Sequence, residues 1–367
     1  MSPEFPFFIY YLGLFIATVF LSRFIFRKYI QFAKIYNLIN LEDLSMAYKG
    51  NILTGGGVVY ASVVMVSSLV LENLDFVEFS NFSPVLATSI LIAVLGFYND
   101  LIKISKFNKY TILFFLILML LYSDSTLPII QNFNGFLGIN SIGSISGLIL
   151  TSFVYIFIMS AVNMYDEIEG YLAIFSIFFF TSLLYNFDVN KFYTLNSVSV
   201  IVIASSITYL TYNFSKVKKL FLGNAGSLFI GFWIATYLIT YVTSAPYSEL
   251  VQVYSIDIEN IPVIAISMIS IPLLDTLRVI LVRILNRKSP LAADRNHLHH
   301  ILLDSGMTHV RISLFLTVIN WFNCIAIFLI EQNFNSKELT IIYIIISLFW
   351  YGFFEYINKK NLSSSKG

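Results

Sequence analysis

The sequence predicts an all-α polytopic integral membrane protein, and three observations carry the prediction. Of 367 residues, 57% are hydrophobic and only 12% charged, about half the charged share of an ordinary soluble domain, so a soluble fold could not hide the apolar surface. The apolar residues come in continuous runs rather than in the alternation of a barrel strand. Spanning helices are then expected, because a helix satisfies its own backbone groups away from water. Finally, the basic residues gather in alternate connections between the runs.

A spanning helix needs roughly 20 mostly apolar residues. In order, eleven segments qualify: 5–26, 52–70, 84–99, 109–123, 145–164, 170–186, 193–212, 221–243, 260–282, 312–330 and 338–357. The first resembles a signal peptide in length, but no basic stretch precedes it and Arg23, Arg27 and Lys28 follow, so it reads as the first span. With the N-terminus outside, an odd count leaves the C-terminus in the cytoplasm. Of the 22 Lys and Arg, only Lys191 and Lys337 then fall outside, as the positive-inside rule requires. An even count would mix the two sets. The lone cysteine, Cys324, lies within a span, which removes a disulfide framework and a cysteine metal site. With no internal repeat and no soluble insert, one transmembrane domain over 1–367 is expected.

Polar residues collect at the cytoplasmic ends of the spans. The external connections are polar without pattern and read as solvated loops. On the inner face, "AYKGNILTGGGVVY" places Gly55, Gly56 and Gly57 at the start of the second span, either for backbone N–H groups to meet an anion or for two helices to approach closely. Lys49 beside them can reach a phosphate or serve topology alone. In "LGFYNDLIKISKFNKY", Asp100 ends the third span before three lysines. It reads either as a phosphate or Mg²⁺ site or as an ion pair with Lys103 one turn away. "SAVNMYDEIEGY" carries Asn163, Asp166, Glu167 and Glu169; three carboxylates in four residues repel one another and call for a cation or a basic neighbour.

In "KLFLGNAGSLFIG", Asn224 reads as a helix cap that leaves amides facing the cytoplasm. In "PLLDTLRV", Asp275 and Arg278 stand one turn apart inside a span, where an ion pair is the plain reading. The loop beyond holds "ADRNHLHHILLD", with three of the four histidines. On an ideal helix His297, His300 and Asp304 share a face, so a zinc site, a solvated loop and the recognition of an anionic, oxygen-rich ligand all stay open. Arginine forks and imidazoles suit phosphates and sugar hydroxyls.

Together, in order and spacing, the clusters resemble the polyprenyl-phosphate N-acetylhexosamine-1-phosphate transferase family, glycosyltransferase family 4, and within it the bacterial branch that moves GlcNAc-1-phosphate to undecaprenyl phosphate. The resemblance spans roughly 45–305 and rests most on "DRNHLHHILLDSG", with "TGGGVVY", "PLLDTLRV" and "FLGNAGSLFIGF" beside it. It departs from the family at several positions. Asn99 stands where the first of two aspartates is usual, Asn224 where an aspartate is usual, Glu167 where a glycine is usual, and Ala47-Tyr48 where Ser-His is usual. Two lost negative charges should weaken Mg²⁺ binding.

The resemblance implies a membrane enzyme of the bacterial inner membrane that joins a UDP-N-acetylhexosamine to undecaprenyl phosphate, with Mg²⁺ or Mn²⁺ and without nucleic acid. Its active face would be cytoplasmic, built from 45–57, 99–109, 163–170, 216–227 and 275–305. Asp100, Asp166 and Glu169 are then the expected catalytic residues, and Asp100, Asp166 and Asn224 the expected metal ligands. Lys49, Gly56, Asn163, Arg295, His297, His299 and His300 are the expected substrate contacts. A non-catalytic homologue that binds the same ligands, a transporter, and a homodimer in the membrane remain alternatives.

Overall fold

A computed structural model describes residues 5–36, 38, 53–73, 83–123, 127–186, 193–215, 219–244, 251, 255–290 and 296–364. Among these there is no strand, only the isolated bridges Leu53–Leu220 and Asn132–Ser141. The helices are α1 (Phe5–Ile35), α2 (Gly56–Asn73), α3 (Ser83–Ile102), α4 (Lys106–Ser123), α5 (Ser144–Asn163), α6 (Tyr171–Asn186), α7 (Tyr193–Asn213) and α8 (Gly223–Ser244). There follow α9 (Ile261–Ser267), α10 (Ser270–Leu285), the short α11 (Leu298–Asp304), α12 (His309–Ile330) and α13 (Ser336–Ser364). Eight described helices are long and apolar enough to cross a membrane, or nine if the bent pair 258–267 and 270–285 is one span. The predicted segments 52–70 and 170–186 fall on the shorter apolar helices α2 and α6.

The chain forms two compact units, Met1–Leu127 with Leu172–Tyr237, and Pro128–Tyr171 with Leu238–Gly367. In the first, α1 lies along α7, and α2 packs on α1, α3 and α7. Its core is aromatic: Phe175, Phe179, Phe180, Phe229, Trp233 and Tyr237 are fully buried. Tyr60 ties α2 to α7 by bonding the carbonyl of Val202 (3.0 Å) and the hydroxyl of Ser206 (2.6 Å). Large apolar side chains such as Phe20, Phe24, Phe115 and Met119 point outward, which suits a lipid surrounding, not water.

In the second unit, α12 packs on α9 and α10, and α11 packs on α13. The axis bends by 76° between the halves of the broken helix. Pro272 has no N–H to offer the carbonyl of Met268, four residues back. Asn320 of α12 fills the gap. Its Nδ2 donates to Met268 O at 2.7 Å, and its Oδ1 accepts from Ile271 N at 3.0 Å and from the Ser270 hydroxyl at 3.2 Å. A buried side-chain amide thus replaces the backbone bonds lost at the break.

Candidate active site

The expected site residues fall into two polar groups, one in each unit. In the first unit, Asp100 at the end of α3 meets the start of α8. Its Oδ1 accepts from Asn224 N at 2.9 Å and Asn224 Nδ2 at 2.7 Å, and its Oδ2 accepts from Ala225 N at 3.3 Å. These are the first free amides of α8, where the helix dipole favours an anion, so Asp100 caps that helix from another element. The Lys103 pairing of the plain sequence reading is not what engages the carboxylate. Instead Lys109 Nζ donates to Asn224 Oδ1 at 3.1 Å. Asn99 turns its Oδ1 to Ile104 N at 3.0 Å and closes the turn after α3.

The glycines of α2 face the same helix start. Gly56 N donates to Phe221 O at 3.1 Å and Gly57 N to Leu222 O at 3.0 Å. A Cβ on Gly57 would collide with the backbone of Gly226. Of the two readings of this motif, close packing is the one realised, and the Gly56 N–H already has a partner in place of an anion.

The second unit holds the histidines around one carboxylate. Asp275, fully buried, accepts from the Tyr165 hydroxyl (3.1 Å), from Leu298 N (3.1 Å), and from Arg278 through Nη2 (2.9 Å) and Nε (3.3 Å). His297 Nδ1 lies 3.0 Å from its Oδ2. The expected Asp275–Arg278 ion pair is therefore present, and the guanidinium also reaches the carbonyl of Asn296 and, at 3.5 Å, Glu355. Asp275 thus anchors both the turn after α5 and the entry to α11. Sequence reasoning assigned it no part in holding the histidines; its place inside an apolar helix was the available signal.

His297 precedes α11 with extended backbone (ψ 149°), so it does not share the helical face with His300 and Asp304 that zinc binding there would need. His299 and His300 turn instead to Glu167 on the 3-10 turn Met164–Glu167, with Nε2 to Oε2 separations of 3.4 and 3.3 Å. The three imidazoles are buried, at 4%, 1% and 7% exposure, which removes the solvated-loop reading for 297–300. Burial lowers the His299 pKa from its ordinary value, against the pull of Glu167.

Asn163 ends α5, Asp166 lies on the turn beside Glu167, and Glu169 is buried with its carbonyl accepting from the Ser313 hydroxyl at 2.7 Å. Gly170, at φ +77°, lets the chain turn into α6. Lys49 and Arg295 lie outside the described residues.

The Asp100–Asn224 pair offers Mg²⁺ few free oxygens. The carboxylate already accepts three N–H groups, and the pair's amide oxygen, Asn224 Oδ1, already faces an ammonium. A hard dication seeks several negatively charged or neutral oxygens. As arranged, this pair does not fit it.

The glycosyl transferase family 4 matches the chain over residues 82–242. A probable undecaprenyl-phosphate N-acetylglucosaminyl 1-phosphate transferase of Bacillus subtilis is 30% identical over 189 residues, 52% of this chain and 49% of that relative. The chain therefore spans about half the length of that relative. A decaprenyl-phosphate N-acetylglucosaminephosphotransferase of Mycobacterium leprae is 27% identical over 73% of this chain and 69% of its own length. An undecaprenyl-phosphate alpha-N-acetylglucosaminyl 1-phosphate transferase of Escherichia coli K12 is 25% identical over 92% and 90%.

Proposed function

We propose, from the premise that this chain belongs to glycosyl transferase family 4, that it moves an N-acetylhexosamine-1-phosphate from a UDP-sugar to undecaprenyl phosphate. A lipid-phosphate oxygen attacks the β-phosphorus, the bond to the α-phosphate oxygen breaks, and UMP leaves with its electrons. The product is a lipid diphosphate sugar that begins a cell-surface glycan. The observation that carries this reading is a groove of about 530 Å³ in the second unit, between α10 and α13. Leu277, Leu281, Leu285, Ile344 and Leu348 line it, and Asp275 and Arg278 are its charged residues. Apolar walls fit a polyprenyl chain, and a guanidinium fits its phosphate.

In the first unit, Asp100 is the residue we assign to proton transfer; in the second, the acidic turn with Asp166 and Glu169 is assigned to orientation of the diphosphate. The loop with Arg295, His297, His299 and His300 is assigned to the sugar and phosphates, with Lys49 and Asn163 as further contacts. Mg²⁺ or Mn²⁺ belongs to this reading as the partner of the diphosphate, with Asp166 the carboxylate that would meet it, and it would supply charge neutralisation. Eleven spans, an outside N-terminus and a cytoplasmic active face in the bacterial inner membrane complete the reading, on the strength of the charge asymmetry.

One observation favours a second reading, a non-catalytic binder of the same ligands. Asn224 bridges Asp100 and Lys109 and leaves the Asp100 carboxylate engaged. UMP release by purified protein, with undecaprenyl phosphate, a panel of UDP-N-acetylhexosamines and Mg²⁺ or Mn²⁺ against EDTA, separates the two. Metal-dependent release with one sugar supports the transferase; a folded protein that binds the UDP-sugar and releases no UMP supports the binder.

A further inference from the structure

Glu167, His299 and His300 bring three ligand atoms within 4.8 Å of one another. The two imidazole Nε2 atoms converge on the same carboxylate oxygen, at 3.4 and 3.3 Å. Those separations are long for charge-assisted hydrogen bonds, which run at about 2.7–2.9 Å. Both have the length expected between co-ligands of one ion, and the two imidazole ligand atoms lie within 4.8 Å of each other. Around a tetrahedral cation with bonds of about 2.0–2.1 Å, neighbouring ligand atoms stand about 3.3–3.4 Å apart.

A second observation points the same way. His299 is 1% exposed, and among the described residues its Nδ1 has no hydrogen-bond partner and its Nε2 has only the long 3.4 Å approach of Glu167. A buried polar atom that is poorly engaged is costly, and an ion between Nε2 and the Glu167 carboxylate would engage both. The side of approach is defined as well. The Glu167 side chain is 63% exposed while the two rings lie behind it, so an ion can enter past the carboxylate.

We propose that Glu167, His299 and His300 bind a divalent transition-metal cation of the zinc class, with a fourth position open to an oxygen ligand. Two imidazoles and one carboxylate suit such an ion, whereas Mg²⁺ takes oxygen ligands in near-octahedral geometry. The site goes beyond the transferase reading and stands without it. Asp304, which an ideal helix would have offered, is not part of the group.

The test is Co²⁺ titration of the full chain in detergent after chelator treatment, followed by visible absorption. One equivalent should bind with the absorption of a four- or five-coordinate site, Zn²⁺ should displace it, and excess Mg²⁺ should not. Glu167→Gln and His300→Gln should each weaken binding at least about tenfold. Because the Glu167 side chain is largely exposed, Glu167→Gln should melt like the parent chain without metal. A folded parent chain that binds no Co²⁺, displacement by Mg²⁺, or unchanged affinity in Glu167→Gln would each overturn the site. UMP release by the parent chain reads the transferase proposal separately: a parent chain that binds one Co²⁺ but releases no UMP defeats the transferase reading alone, and one that releases UMP but binds no Co²⁺ defeats this site alone.

Discussion

Asp275 accepts hydrogen bonds from α10 itself, from the turn after α5 and from the start of α11, so one carboxylate fixes three pieces of chain. Replacing it by Asn keeps the volume and removes the charge opposite Arg278. The expected cost is about 3 kcal/mol, typical of a buried pair that loses one partner, read as a lower melting temperature in detergent together with a fall in UMP release. Tyr165→Phe removes a single bond to the same carboxylate and should cost only about 1 kcal/mol; equal losses in the two variants would refute the ranking. Asn224→Asp should behave differently. It turns the 2.7 Å contact with Asp100 into a pair of like charges that Lys109 only partly offsets. The metal-free protein should therefore melt lower than the parent, and Mg²⁺ should restore more stability to the variant than to the parent. A variant indifferent to Mg²⁺ would show that charge at this position is not what limits the ion.

At the scale of elements, the glycines separate by what a Cβ would meet. On Gly57 it would run into the Gly226 backbone, while on Gly13 and Gly352 it meets nothing within 4 Å. Gly57→Ala should thus destabilise by at least about 1–3 kcal/mol. Gly352→Ala, inside α13, should stabilise by up to about 1 kcal/mol through helix propensity. Thermal melts of the two variants check the contrast, and a tolerated Gly57→Ala would mean that α2 does not need its close approach. The broken helix depends on Asn320 in the same way. Asn320→Leu strands Met268 O and Ile271 N, at about 1–3 kcal/mol for each unsatisfied group, measurable as faster hydrogen exchange at 268–272. Neither the glycine contact nor the Asn320 bridge was legible beforehand. Triple glycine fits packing and anion binding alike, and an Asn in an apolar run does not name its partner.

For the whole molecule, the charge asymmetry makes a prediction about sidedness. Cys324 is buried, so the chain offers a quiet background for labelling. Ser289→Cys should react with a membrane-impermeant maleimide only from the cytoplasmic face, and Lys337→Cys only from the outer face; both positions are exposed. The reverse pattern would defeat the outside N-terminus. Much at this scale was legible in the sequence. Continuous apolar runs fixed a helical membrane protein, because hydrocarbon leaves a backbone no partner except itself, and every predicted run falls on an observed helix or on the bent pair. The polar clusters at the ends of those runs, the Asp275–Arg278 pair and the likeness to glycosyl transferase family 4 over residues 82–242 were legible for a similar reason: each is a property of type and spacing along the chain. What only the tertiary structure decided is which residues, far apart in sequence, share a hydrogen bond: Asp100 with the start of α8, Asp275 with His297, Glu167 with His299 and His300. An orientation-dependent contact a few ångströms long is set by how elements pack, whereas burial of apolar surface has no direction and can be read from composition alone.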